Sequence, residues 1–496
     1  MHLKRRYDLP LLVPAAFALF LVVVRACLQS ATLDEADGYL GYCAMDWPSQ
    51  FYATSGNHVL NSIVERFVTT VFGLSHLTFR FGAIIGASIY ITAAYRLCSM
   101  LIGSAWVRWP LFVCLVYNPF ILDYLIASRG YSLALGFLLT AILVLAQAFA
   151  DENDHLYRRC ALASLCVGLS FCANFAFAWV NASIMAIFLL WALFVRRANW
   201  YRLAGAGLLP AVLVTTAICG QTLLDWPKGQ LYYGAATIHQ MVHSLTEASF
   251  YTPNPQVANA LVLGFLNWVA IVLPEVFKYS WIVLFLTVCA LRIARTDAET
   301  RRESTVFFYL VGVLTLALSL YWLAHRALGI LYPQERTASY FVVLATLGFG
   351  VAAACRYPSR AGAVAHALGI GVLSIGAVYF LGCLRISHFR EWKFDAETQP
   401  AFHTLVDINR QYGYRDVVTG WEYTAALKFY EHYYGRVGLF NFIQDTDRPI
   451  QSVKPVYVLR DEYDHDYIEQ QKLQVIYRGP VGGVVVAIRP SPAASH

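Results

Sequence analysis

The sequence predicts a polytopic α-helical membrane protein of about eleven transmembrane helices, closed by a small C-terminal α/β domain outside the cytoplasm. Three observations carry that reading. Charged residues make up 14% of the 496, against about a quarter in a soluble chain, too few to cover a water-facing surface. Apolar residues reach 58%, with a mean hydropathy of +0.51, and gather into runs of about 20 residues between short charged connectors. Beyond Arg385 the pattern changes to short strand-like segments and amphipathic helices.

The first span is predicted at about 10–29, entering from the side of Lys4, Arg5 and Arg6. Its length and flanks favour an uncleaved helix over a signal peptide, and Arg25 spoils the lipoprotein-like approach to Cys27. The polar, aromatic stretch from about 30 to 80 is too interrupted to span and reads as helices lying along the outer interface. Spans follow at about 81–99, 108–126, 129–149, 160–177, 179–195 and 203–222. A second outer region covers about 223–276. Within it, 257–274 counted as a full span would carry Arg292, Arg295, Arg301 and Arg302 to the outer side. It therefore reads as re-entrant or interfacial, with spans at about 277–294, 305–324, 337–355 and 362–383 completing the bundle. This threading collects Arg158, Arg159, Arg196, Arg197, Arg356 and Arg360 on the cytoplasmic side.

The chain thus divides into a membrane domain over 1–384 and an outer domain over 385–496. In the latter, helices are expected at 396–412 and 421–434, and strands at 416–419, 455–460, 473–477 and 483–488.

Several function classes fall away. The net charge of +6 is carried by arginines at span ends rather than by a basic groove, so nucleic acid is not a partner. The 11 cysteines are scattered, with neither zinc-ligand spacing nor a disulfide framework. No Gly-rich phosphate loop is present, and Asp445/Asp447 and Asp464/Asp466 are weak matches to a metal-binding Asp-x-Asp.

Polar residues gather instead at three outer corners. After the first span come Asp34, Glu35 and Asp37, then Trp47, Asn57 and His58. Acids here cap a helix start, or one of them acts as a general base in a partly desolvated site. Asn118 and Asp123 precede the fourth span, Arg129 and Tyr131 open it, and Arg326, Glu335 and Arg336 mark the last outer corner. Singly, snorkelling explains each arginine; together they suit a phosphate leaving group through their planar, permanently charged forks. Most of the 31 Tyr and 12 Trp belong to interfacial belts. Trp47, Trp226, Tyr232 and Tyr233 lie in outer loops where a ring could stack on a sugar, Trp47 being preferred.

The Asp-Glu pair after the first span, the Asn-His before an interfacial helix, the Arg-x-Tyr opening the fourth span and Pro-Gln-Glu-Arg-Thr before a late span together resemble the GT-C superfamily. The likeness covers about residues 1–390 and is nearest the bacterial protein mannosyltransferase and aminoarabinose transferase branch. It implies a GT-C-like fold and an inverting transfer from a polyprenyl-phosphate sugar to an extracytoplasmic lipid, glycan or protein, in a bacterial inner membrane with the site on the periplasmic side. By the same likeness Asp34 is the base and Glu35 its neighbour, raising its basicity or steadying the acceptor. Arg129, Tyr131, Arg326 and Arg336 hold the lipid phosphate. His58 hydrogen-bonds the donor, orients Asp34, or simply caps a helix. Some relatives use a divalent metal; a single acidic pair supplies no clear ligand set, so no cofactor is assigned. The competing readings are a lipid or saccharide flippase, a non-catalytic envelope assembly protein, and an O-antigen ligase, which typically relies on a larger late outer loop than this chain has.

Overall fold

The computed structural model describes residues 8–490 except 151–154, 228, 231–232, 252–254, 295–297, 356–359 and 448–449. Lys4, Arg5, Arg6, Tyr232, Arg295 and Arg356 lie outside the described residues, as do the side chains of Arg301 and Arg302. Among those described, ten helices are long and apolar enough to cross a membrane.

The spans run α1 (Leu9–Leu28), α5 (Phe81–Leu101), α8 (Tyr131–Ala150), α9 (Leu156–Ala173), α10 (Ala178–Phe194), α11 (Trp200–Leu224), α13 (Ala260–Ala294), α14 (Ala298–Leu328), α15 (Ser339–Ala354) and α16 (Arg360–Gly382). Between α1 and α5 lie the short helices α2 (Leu33–Gly38), α3 (Val59–Phe72) and α4 (His76–Phe79). α3 buries Val59, Ser62, Glu65 and Val68 and exposes Phe67, Val71 and Phe72, the two-faced pattern of a helix lying on a lipid interface.

Two boundaries differ from expectation. The third span is broken into α6 (Ala105–Val116) and α7 (Pro119–Tyr124). Asn118 stops the first helix and caps the second, its side-chain oxygen accepting from Phe120 N at 3.0 Å, with Pro119 opening the new turn. The segment 257–274 is not a separate re-entrant or interfacial helix. It forms the first half of α13, 35 residues long and so about 52 Å by helical rise, with Pro274 inside it. One helix makes one crossing, so the extra crossing that displaced Arg292 in the sequence reading falls away. The outer region before it holds α12 (Ile238–Ser249).

Buried ion pairs lock the ends of the spans nearest the C-terminal unit. Arg80, fully buried, donates to the carbonyls of Ala26 (3.0 Å), Gln29 (2.8 Å) and Ser30 (2.8 Å), closing the end of α1. It also grips Glu35 at 2.8 and 2.6 Å. Asp123 joins Arg25 and Arg385, each at 2.7 Å, and accepts from Arg390 N at 2.8 Å, tying the exit of α16 to α1 and α7.

The C-terminal unit is a five-stranded mixed sheet in the order β2-β1-β3-β5-β4. Its elements are α17 (Thr398–Tyr412), β1 (Asp416–Thr419), α18 (Trp421–Tyr433), β2 (Asn441–Gln444), β3 (Val456–Arg460), α19 (Asp461–Gln470), β4 (Gln474–Arg478) and β5 (Val484–Ile488). β1 pairs in parallel with β2 and β3; β5 runs antiparallel to β3 and β4. Its core is shared with the first outer loop: Ala31, Ala36 and Phe79 pack with Phe402, Leu427, Phe429 and Tyr430. The Tyr430 hydroxyl accepts from Ala31 N at 2.8 Å and Asp395 accepts from Leu33 N at 2.7 Å. The domain therefore clamps the chain immediately before Asp34.

Candidate functional site

Asp34 lies in the first turn of α2. Thr32 caps that helix, its hydroxyl accepting from Glu35 N at 3.2 Å while the Glu35 carboxylate accepts from Thr32 N at 3.0 Å. Consecutive helical residues point roughly 100° apart, so the two acids separate. Glu35 turns inward, where Arg80, Thr32 N and Ser128 N (2.7 Å) occupy its oxygens. Burial works to raise its pKa, but the charge and hydrogen bonds of Arg80 prevail and hold the carboxyl below its ordinary range. Glu35 is thus not a catalytic neighbour of Asp34; it is a structural anion with no face toward the site.

Asp34 turns the other way. Its carboxylate stands 2.7 Å from Arg336 Nη1 and its side chain keeps 23% exposure. Arg129 donates from Nη1 to the Asp34 carbonyl at 2.8 Å. The same Nη1 of Arg336 donates to Glu391 Oε1 at 2.5 Å, and Tyr124 donates to the other Glu391 oxygen. Tyr233 and Trp392 lie against the Arg336 guanidinium, at 5.2 and 5.8 Å to their ring centres. Among the described residues, Arg336 Nε and Nη2 have no protein partner. Burial pushes the Glu391 carboxyl above its ordinary range, opposed by Arg336.

Tyr131 continues the cluster, its ring 5.0 Å from Tyr124 and 5.6 Å from His58. His58 is buried, and among the described residues neither ring nitrogen has a hydrogen-bond partner. Burial first, then the nearby Arg129 and Arg336, push it well below the usual histidine range, so it is neutral at physiological pH. Between Arg129 and Tyr131 only glycine fits. Gly130 has φ +70°, and a Cβ there would stand 2.1 Å from the Ala173 carbonyl.

The structure thus brings together Asp34, His58, Arg129, Tyr131 and Arg336 and leaves three expected residues apart. Arg326 is exposed in the last turn of α14, where a cation complements the helix end. Trp47 is 61% exposed and stacks on Arg66 rather than on the cluster. Glu35 is the third. Trp226 packs on Phe175 instead, while Tyr233 does reach Arg336. Asp445 spends its oxygens on the amides of Asp447, Gln451 and Ser452 and holds a turn, whereas Asp464, in the first turn of α19, accepts from Arg460 N at the head of that helix. Among the described residues no group of three or more His, Cys, Asp or Glu is placed to hold a metal ion.

Glu391 and Trp392 were not singled out from the sequence. They follow the last span, in a stretch that reads as a connector.

No protein-family model matches the chain, and no curated protein sequence matches it. Among solved structures it is similar to ArnT from Cupriavidus metallidurans bound to undecaprenyl phosphate, at 12% identity over 98% of this chain and 99% of that one, with a TM-score of 0.42. It is also similar to the arabinofuranosyltransferase AftD from Mycobacteria (15% identity, 98% and 42% covered, TM-score 0.48). A third is the oligosaccharyltransferase of Archaeoglobus fulgidus (12% identity, 97% and 73% covered, TM-score 0.48).

Proposed function

We propose that this chain is an inverting, GT-C-type membrane glycosyltransferase that moves a sugar from a polyprenyl-phosphate donor to an extracytoplasmic acceptor. One observation carries the reading: a carboxylate and two arginines meet at the mouth of the spans, with one edge of Arg336 left open. Arg129 stands at the start of α8 and Arg158–Arg159 just beyond its far end, so the site faces away from the arginine-rich loops.

The chemistry follows from the parts. A polyprenyl tail stays in the bilayer while its phosphate rests at headgroup depth. An apolar groove of about 330 Å³ between α9, α10 and α11, lined by Val167, Phe171, Ala178 and Val212, suits the first prenyl units. Arg336 receives phosphate oxygens on Nε and Nη2, and Arg129 and neutral His58 add contacts. Asp34 takes the acceptor's O–H or N–H proton as the acceptor atom bonds to the sugar's anomeric carbon. The bond from that carbon to the phosphate oxygen breaks, its electron pair leaves on the lipid phosphate, and the arginines stabilise the added charge. Tyr233 and Trp392 give the sugar an aromatic wall.

Purified protein incubated with a panel of polyprenyl-phosphate sugars and envelope acceptors is expected to release polyprenyl phosphate from at least one donor, read by mass spectrometry. Movement of intact labelled donor across a vesicle membrane without cleavage would instead establish a flippase.

A further inference from the structure

We infer that Glu391, delivered by the segment after the last span, is a positioning residue that shares Arg336 with Asp34, so that the arginine neither neutralises the base nor over-binds the lipid phosphate. The inference rests on the glycosyltransferase reading. Its ground is that Asp34 (2.7 Å) and Glu391 (2.5 Å) contact the same nitrogen, Nη1, of one guanidinium. One cation serving two carboxylates leaves each only partly compensated. The charge of Asp34 is among those that push the Glu391 carboxyl up, so the two anions oppose each other across the one cation.

Arg129 and Arg336 stand among the carboxylates of Asp34, Glu391 and Glu335, so the cluster carries no excess of positive charge. An arriving phosphodiester brings one negative charge. On transfer the second charge on the lipid phosphate is matched by the proton taken up by Asp34, so charge moves onto the phosphate beside the arginines while the total stays the same. The other ionisable groups facing Glu391 are Tyr124, Tyr131, Tyr233 and Glu335; among the described residues Arg336 is the leading cation that opposes its charge. Glu391 does not touch the reacting atoms in this scheme. It sets how tightly Arg336 holds its two clients.

Glu391→Gln in the full-length protein separates this role from a merely structural one. The affinity for polyprenyl phosphate, measured by titration in detergent, is expected to tighten about fivefold as one negative charge leaves the site. At the same time kcat is expected to fall roughly tenfold, because Asp34 becomes the sole carboxylate partner of Arg336. Glu391→Asp, which keeps the charge, is expected to restore both values. Weaker or unchanged phosphate binding, or an unchanged kcat, overturns the inference. If the Gln variant does not fold, Tyr124→Phe carries the test with the same sign. It removes the hydrogen bond that favours the charged Glu391 carboxylate, so phosphate binding tightens; unchanged or weaker binding overturns the inference. Should the wild-type chain cleave no donor, the function reading fails, while the affinity comparison still decides whether Glu391 opposes phosphate binding.

Discussion

Asp34→Asn is expected to yield a folded protein whose rate of sugar transfer is about 10²–10⁴-fold lower. The fold survives because the carboxylate is not a packing element. α2 is capped by Thr32 and Glu35, its entry is clamped by Tyr430 and Asp395, and Arg336 retains Glu391. An asparagine also keeps an oxygen for Arg336, so that side chain holds its position. What disappears is the group that accepts the acceptor's proton. Donor affinity should hold or tighten, since a negative charge has left the phosphate's surroundings. The signature is therefore a collapse of kcat with KM for the donor unchanged or lower. A variant that turns over within about threefold of wild type would remove Asp34 from the mechanism.

Glu35→Ala, one residue along, is expected to do something different: a loss of about 3–5 kcal/mol of stability, seen as poor yield and a lowered melting temperature. Glu35 and Arg80 are both fully buried and bonded at 2.6 Å. Removing the carboxylate strands a guanidinium whose other bonds hold the end of α1, and leaves Ser128 N without its acceptor. Because Ser128 precedes Arg129, the damage spreads to the phosphate side of the site. Any surviving folded fraction should still turn over, a result that a catalytic Glu35 would forbid. Fluorescence-detected size exclusion beside the transfer assay separates the two.

The contrast between these neighbours shows what the sequence made legible. That an acidic pair after the first span shares a face with Arg129 and Arg336 follows from counting spans and arginines, and the two arginines do meet at Asp34. Which acid faces the site does not follow, because the choice is made by Arg80, 45 residues away in the chain. The same holds for the late corner. Arg326 and Arg336 read alike, yet α14 runs on to Leu328 and leaves Arg326 on its outer turn, whereas Arg336 follows the return at Gly329 and the strained Glu335 (φ 44°). Glu391 was invisible for a related reason: a carboxylate in a connector acquires meaning only when the segment folds back onto Tyr124 and Arg336. In the C-terminal domain, β2 is hidden from the sequence because it is a short sheet edge with little buried alternation, and α19 because its run of acids resembles a turn.

The most direct measurement is where a polyprenyl phosphate places its phosphorus on the full-length protein, by cryo-electron microscopy in a lipid nanodisc. The account predicts phosphate oxygens about 2.7–2.9 Å from Arg336 Nε or Nη2, with Arg129 and His58 alongside and Asp34 open to an acceptor. A phosphate held elsewhere on the protein, with the free edge of Arg336 still facing solvent, would contradict it.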